Sequence, residues 1–161
     1  MLNTFYPDKT FHLFDKILDQ PGCLCKIETA SPENIYQRLA RYQDYTGKAF
    51  YFWKEGQGLY RADIPNIFAP NTGSLIRALH HISLSMHFGM YLFVDVGNAL
   101  KSPIAVQMLE QLVRKQDNQN KLLIFAGGDM HIPEKLDSYF TTIRHKVASN
   151  AVNSSDSLLV N

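Results

Sequence analysis

Four side chains in this sequence are of the types that hold a divalent metal beside a phosphoester. Asp95 closes the apolar run of YLFVDVGNAL (91–100) and is followed after one residue by a Gly-Asn turn. A carboxylate at the end of a buried strand is where nucleotide-hydrolysing folds offer a magnesium ligand. Asp129 and His131, in GGDMH, follow the next apolar run, and Glu28 closes an earlier one, CLCKIE (23–28). Carboxylates and an imidazole at neighbouring strand ends suffice to hold a hydrated ion. Glu28, Asp95, Asp129 and His131 are thus the candidate strand-end cluster, and they invite a metal-dependent, phosphoesterase- or nuclease-like reading. The competing reading is structural. Gly-Gly-Asp is ordinary turn chemistry, and a lone strand-end aspartate commonly orders the turn after it. On that reading Asp95 is a cap and no metal is bound.

The other half of a nucleotide site is missing. A phosphate cradle needs a Gly-rich turn after the first strand, ending in Lys and Ser or Thr. The corresponding stretch here is IETASPEN (27–34), with no glycine and no lysine. Its proline removes an amide donor where a helix begins, and Glu28 repels phosphate. Neither a Gly-x-Ser-x-Gly elbow nor a Gly-x-Gly-x-x-Gly fingerprint occurs, and GQG (56–58) reads as a tight turn. No catalytic residue and no cofactor are expected, and the missing phosphate loop argues against enzymatic activity.

Other reactive types read as structural. Cys23 and Cys25 stand in an apolar run, at a spacing that places both on one face of a strand. One Cys-x-Cys pair does not complete a tetrahedral zinc site, so they read as small buried hydrophobes. His80, His81 and His87 fall on an expected helix, and His80 and His87 are too far apart to chelate without a third element. The aromatics of AFYFW (49–53) read as core rather than as a base-stacking platform. Arg38, Arg41 and Tyr45 recur at i, i+3 and i+7, an interface-like stripe. A solvated helix face with snorkelling arginines explains the same stripe.

The elements that would position these residues follow from periodicity. Residues 9–19 carry apolar side chains at helical spacing, and CLCKIE (23–28) is a strand. Ser31 as N-cap and Pro32 at the first position open a helix to about Thr46, stopped by Gly47. KAFYFWK (48–54) is a strand apolar on both faces, which implies cover above and below. Residues 55–73 read as a turn, a short extended piece and a loop. A helix from about Ser74 to Phe88, with Met86 on its apolar stripe, is ended by Gly89. The strand ending in Asp95 follows, then a helix from about Ile104 to Lys115, a strand at 121–127, one or two helical turns, and a strand at 141–148. Such alternation predicts a three-layer α/β domain on a mostly parallel five-stranded sheet. The domain spans residues 1–148, with 149–161 a disordered or loosely docked tail.

Bulk properties narrow the partners. The chain has 161 residues, 45% of them hydrophobic and 19% charged, with a net charge of +1. So even a balance gives no field for nucleic acid or an anionic membrane. No apolar run is long enough for a membrane helix and no signal core opens the chain, so a cytoplasmic location is expected.

Three stretches carry a resemblance: YFWKEGQGLYR, YLFVDVGNALKSPIAVQMLEQLVRK and KLLIFAGGDMHIPEKLDSYFTTI. Over residues 22–148 they resemble the non-catalytic N-terminal domain that precedes the ATPase module in certain AAA proteins of cyanobacteria, algal plastids and other bacteria. Trp53, Gly58 and Leu59 match its aromatic strand and Gly-Leu. Asp95, Leu100 and Pro103 match its strand aspartate and helix-opening proline, and Ile132, Pro133 and Leu136 match its Ile-Pro-x-x-Leu turn. The chain departs from the family at Val96 and Gly97, where aromatic and histidine residues usually stand; working AAA sites carry a second carboxylate next to the first. The resemblance implies a degenerate P-loop fold with a RecA/AAA-like sheet and a pseudo-ATPase-like role in protein contacts. No ATPase module follows within the sequence, so the expected partner is another protein, from another polypeptide. Neither its identity nor the oligomeric state is set by the sequence.

Overall fold

The strands at the centre of the sheet are those whose side chains are apolar on both faces. β4 (Gly89–Val94) and β5 (Lys121–Gly127) are buried almost throughout, and β1 (Leu24–Glu28) lies on the far side of β5. A strand of this kind must be covered above and below. In the computed structural model, which describes residues 9–20, 22–96, 98–115, 121–146 and 157–160, four helices do so. α1 (Lys9–Asp19) and α2 (Pro32–Thr46) close one face around Phe14, Ile27, Leu39, Tyr42 and Ile124. α3 (Leu75–Leu84) and α4 (Pro103–Arg114) close the other around Leu79, Phe93, Leu109 and Phe125. The architecture is the expected three-layer α/β sandwich.

The remaining elements are β2 (Phe50–Lys54), β3 (Gly58–Arg61), a short helix α5 (Glu134–Asp137), β6 (Phe140–Lys146) and β7 (Ser157–Val160). The strand order is β3-β2-β4-β5-β1-β6-β7. β2, β4, β5, β1 and β6 run parallel, and β3 and β7 add antiparallel edges. The five expected strands are the parallel centre, and the sheet has seven. β3 is only four residues long and sits in a Gly- and Pro-punctuated segment, which masks its signal. Of the tail expected to be disordered or loosely docked, Ser157–Val160 pairs with β6; residues 149–156 and Asn161 lie outside the described residues.

Several local expectations change. α3 stops at Leu84 rather than Phe88, because Ser85 turns extended (φ −69°, ψ 135°) while its N–H still donates to the Ile82 carbonyl. Met86 is then off the helix and 88% exposed, and His87 leaves it too. Gly89 opens β4 instead of ending a helix, and it must lack a side chain, since a Cβ there would lie 2.7 Å from the Tyr91 hydroxyl. The two cysteines do not share a face. β1 begins at Leu24, so Cys23 stands before the strand and packs with the α3–α4 core, whereas Cys25 packs with the α1–α2 core. Burial raises the Cys23 thiol from 9.0 to about 11 and the Cys25 thiol to about 12.

The matched residues Trp53, Gly58 and Leu59 tie the loop after β3 to the sheet. The Trp53 indole N–H donates to the Thr72 carbonyl at 2.8 Å, and the Leu59 N–H donates to the Thr72 hydroxyl at 2.9 Å. That hydroxyl donates in turn to the Ala69 carbonyl at 2.7 Å. Thr72 is almost fully buried, so its polar atoms must be paired within the protein. Gly58 permits the approach: its φ is +118°, and a Cβ there would lie 2.3 Å from the Thr72 hydroxyl oxygen. Aromatic pairs line the parallel centre, with Phe93 stacked on Phe125 and Tyr51 on Tyr91, both at 5.1 Å. Each pair adds about 0.5–1.5 kcal/mol beyond burial, less than the roughly 1.5–3 kcal/mol of burying each ring. Burial, not stacking, holds the centre.

Two outcomes test this packing. Gly58→Ala destabilises the fold by about 2 kcal/mol or more in urea titration, through strained φ and the close contact. Gly128→Ala, with nothing within 4 Å of its added methyl, stays within about 0.5 kcal/mol of the parent. The thiols of the folded protein resist a disulfide reagent at pH 8 and react once the chain is unfolded. Their raised folded-state pKa values also set a sign: their contribution to stability is intact below pH 9 and is lost as pH rises toward 11–12. A titration of stability from pH 8 to 11 reads that fall.

Candidate functional site

All five parallel strands point their carboxyl ends at one edge, so the candidate residues collect there. β1 ends at Glu28, β4 runs into Asp95, and β5 ends at Gly127 and leads to Asp129 and His131. Asp95, Asp129 and His131 line a common cleft of about 270 Å³ with Asn98 and Lys101. Glu28 lines an adjoining cleft of about 360 Å³ with Lys26, Asp129 and His131. Strand order thus brings the four candidates to one edge, in two clefts rather than one.

Glu28 is already engaged. One carboxylate oxygen lies 3.2 Å from the Lys26 ammonium, two residues back on the same strand face, and the other 3.2 Å from Nε of Arg144. Glu28 and Arg144 are register partners on β1 and β6, so the pair follows from strand alignment. Partly exposed ion pairs contribute about 0–1 kcal/mol to stability. Their effect here is to fix where the carboxylate sits.

Asp95 has left-handed backbone, with φ +54°, a conformation that Asp tolerates better than most residues at a cost of about 1 kcal/mol. Its N–H still donates to the Ala126 carbonyl at 3.0 Å, so β4 stays laced to β5 into the turn. A Cβ on Gly127 would lie 2.7 Å from Asp95 Oδ1 and 3.4 Å from Met130 Cγ. The carboxylate and the methionine thus lie over the end of β5, and Gly127 leaves them room. Gly97, the residue two positions on that an Asp95 cap would bond, lies outside the described residues. The turn into the 3₁₀ segment Ala99–Lys101 is held by backbone bonds, Ala99 N–H to Val96 and Lys101 N–H to Asn98.

Where a phosphate loop would stand, the chain makes a tight connection. Thr29, Ala30 and Ser31 alone join β1 to α2. The Thr29 N–H donates to the Gly127 carbonyl at 2.9 Å, and the Ser31 N–H donates to the Thr29 hydroxyl at 2.9 Å. That hydroxyl shares a 2.6 Å hydrogen bond with His145 Nδ1, inside the protein. Ser31 occupies the N-cap position as expected, but its side chain makes no capping bond. Arg144 and His145 were not singled out by sequence, because their roles arise from β6 lying next to β1, which no local pattern encodes.

Among the described residues, no group of three or more His, Cys, Asp or Glu side chains is placed to hold a metal ion. Glu28 is held by two cations, and Asp129 and His131 line both its cleft and that of Asp95. The other candidate, the Arg38–Arg41–Tyr45 stripe on α2, is also divided. Arg38 is buried, its Nε donating to Asn34 Oδ1 at 2.6 Å. Arg41 and Tyr45 stay exposed, with the Tyr45 ring packed 5.3 Å from Phe11 of α1. No helix among the described residues is long and apolar enough to cross a membrane.

A family model described as "SpoVK-like AAA ATPase, N-terminal domain" matches residues 14–145. Comparison with curated proteins and with solved structures gave no match. The matched motifs are mainly core: Leu100 and Leu136 are fully buried, Trp53 and Ile132 nearly so, and Pro103 opens α4.

Calorimetric titration with Mg²⁺ or Mn²⁺ is expected to reveal no site tighter than about millimolar, the weak end of oxygen-ligand sites. Asp129→Ala leaves that result unchanged. A micromolar site lost in Asp129→Ala restores the metal reading.

Proposed function

The chain belongs to the SpoVK-like AAA ATPase N-terminal domain family, and from that premise we propose a non-catalytic, pseudo-ATPase-like domain that binds another protein. It acts as a component or adaptor of a larger assembly, of the cyanobacterial and plastid type that its motifs resemble, and works in the cytoplasm. The observation that carries the reading is the β1–α2 connection. Three residues, closed by the Thr29–Gly127 backbone bond and followed by Pro32, leave no run of free amides to wrap a phosphate. The carboxylate of Glu28 stands beside that connection, held between Lys26 and Arg144.

The strand order supports a RecA/AAA-like origin for the sheet. Taken in chain order, the five parallel strands lie second, third, fourth, first, fifth across the sheet. That order puts the first strand between the two last to appear, with Asp95 one strand away from the β1–β5 boundary. We read the fold as a nucleotidase scaffold whose hydrolytic parts have been replaced by packing.

Calorimetry with Mg²⁺–ATP is the direct test, and no binding is expected up to about millimolar nucleotide. Micromolar ATP binding that disappears in Asp95→Ala overturns the reading. Affinity purification of the full chain at native abundance is expected to return a reproducible protein partner; recovery of the chain alone argues against an adaptor.

A further inference from the structure

A further depression at the strand-end edge lies beyond the two clefts, between α4 and the loop that leads into α5. Its volume is about 650 Å³, within the range of sites that receive ligands. Val106, Pro103 and Pro133 form its apolar walls, and Lys101 and Lys135 stand on its rim. Glu110, which also lines it, has its charge offset by Arg114 at 3.7 Å. His131 lines this depression and both smaller clefts, so the three lie side by side along the edge, a row called the channel below.

Resting on the protein-binding role proposed above, we infer that this channel takes an extended peptide segment of a partner that carries an acidic residue beside an apolar one. The apolar side chain enters between Val106 and the two prolines, and the carboxylate meets Lys101 and Lys135. Both walls are anchored in the core on the α3–α4 side. α4 is anchored by fully buried Ala105 and Leu109, and the opposite loop by Ile132 and Leu136. Walls held in this way reduce the ordering penalty of association. Neither proline offers an N–H, so the peptide backbone is met by the side chains of Gln107 and His131 rather than by strand addition. The charge of the channel also separates peptide from nucleic acid. Beyond His131 it is lined by Asp95 and Asp129, which repel a continuous phosphate backbone but leave room for a segment with one local carboxylate.

The test is a displayed library of random twelve-residue peptides panned against the full chain and against a Lys101→Glu/Lys135→Glu variant. Both lysines are exposed, and circular dichroism and thermal melting check that the variant folds. The expected outcome is a consensus pairing Asp or Glu with Leu, Ile or Phe. The selected peptides, fluorescently labelled, should lose at least about tenfold in affinity for the variant and for Val106→Trp, which fills the apolar wall. A basic consensus, no binders, or binders indifferent to all three substitutions overturns the inference. Failure here is distinct from failure of the adaptor role: a partner that co-purifies equally with parent and charge-reversed chain keeps that role and removes this channel from it.

Discussion

Burial of β4 and β5 on both faces is the constraint from which the rest of the structure follows. Their side chains leave no solvated surface on the sheet, so helices must cross over each side. Parallel pairing then turns every strand the same way. The carboxyl ends of β1, β2, β4, β5 and β6 gather at one edge, and the residues able to do chemistry gather with them. Glu28, Asp95, Asp129 and His131 are neighbours for this topological reason, before any question of function. Their proximity alone says little about catalysis. The details of each carboxylate decide it, and those details are ion pairs, a left-handed backbone and a three-residue connection.

That edge shows how a ligand crevice is filled. In an open α/β sheet the crevice lies where successive connections leave to opposite faces. Here α2 leaves β1 toward one core, while the segment after β5, with Met130, Ile132 and Leu136, packs into the other. The boundary between β1 and β5 is therefore where a ligand would enter. Thr29 instead bonds across it to Gly127, Asp95 and Met130 lie over the glycine, and Glu28 is held between Lys26 and Arg144. None of these contacts is worth more than about 1–2 kcal/mol. Together they tie the ends of β1, β4, β5 and β6 to one another at that boundary.

Much of the fold was legible because strong local signals and tertiary demands agree. The parallel strands announced themselves as apolar runs, and Pro32, Gly47 and Pro103 marked helix boundaries where the structure has them. Sequence reasoning failed where a backbone choice overrides periodicity. α3 ends at Ser85 although Met86 continues its apolar stripe, and Cys23 lies outside the strand that its spacing with Cys25 suggested. The site was legible as a set of residues but not as an arrangement. Nothing local to Glu28 announces Arg144, because their register depends on β6 pairing with β1. Arg38 likewise shares a stripe with exposed Arg41 and Tyr45, yet is buried and bonds Asn34. Inter-strand register and side-chain direction are set by the assembled core, and the sequence carries them only indirectly.

The position of β1 has a consequence for how the chain comes into being on the ribosome. Both of its strand neighbours, β5 and β6, lie about a hundred residues or more downstream in the chain. At a synthesis rate of about 5–20 residues per second, β1 waits some 5–20 s for the first of them. During that interval Cys25 and Ile27 have only α1 and α2 to shelter them, and Leu24, on the opposite face, has neither. Sheet completion is an insertion between late-arriving strands, with high contact order and correspondingly slow closure. α2 packs on the same face as Cys25 and Ile27, and so serves as the nascent chain's temporary cover for a strand whose partners have yet to be made.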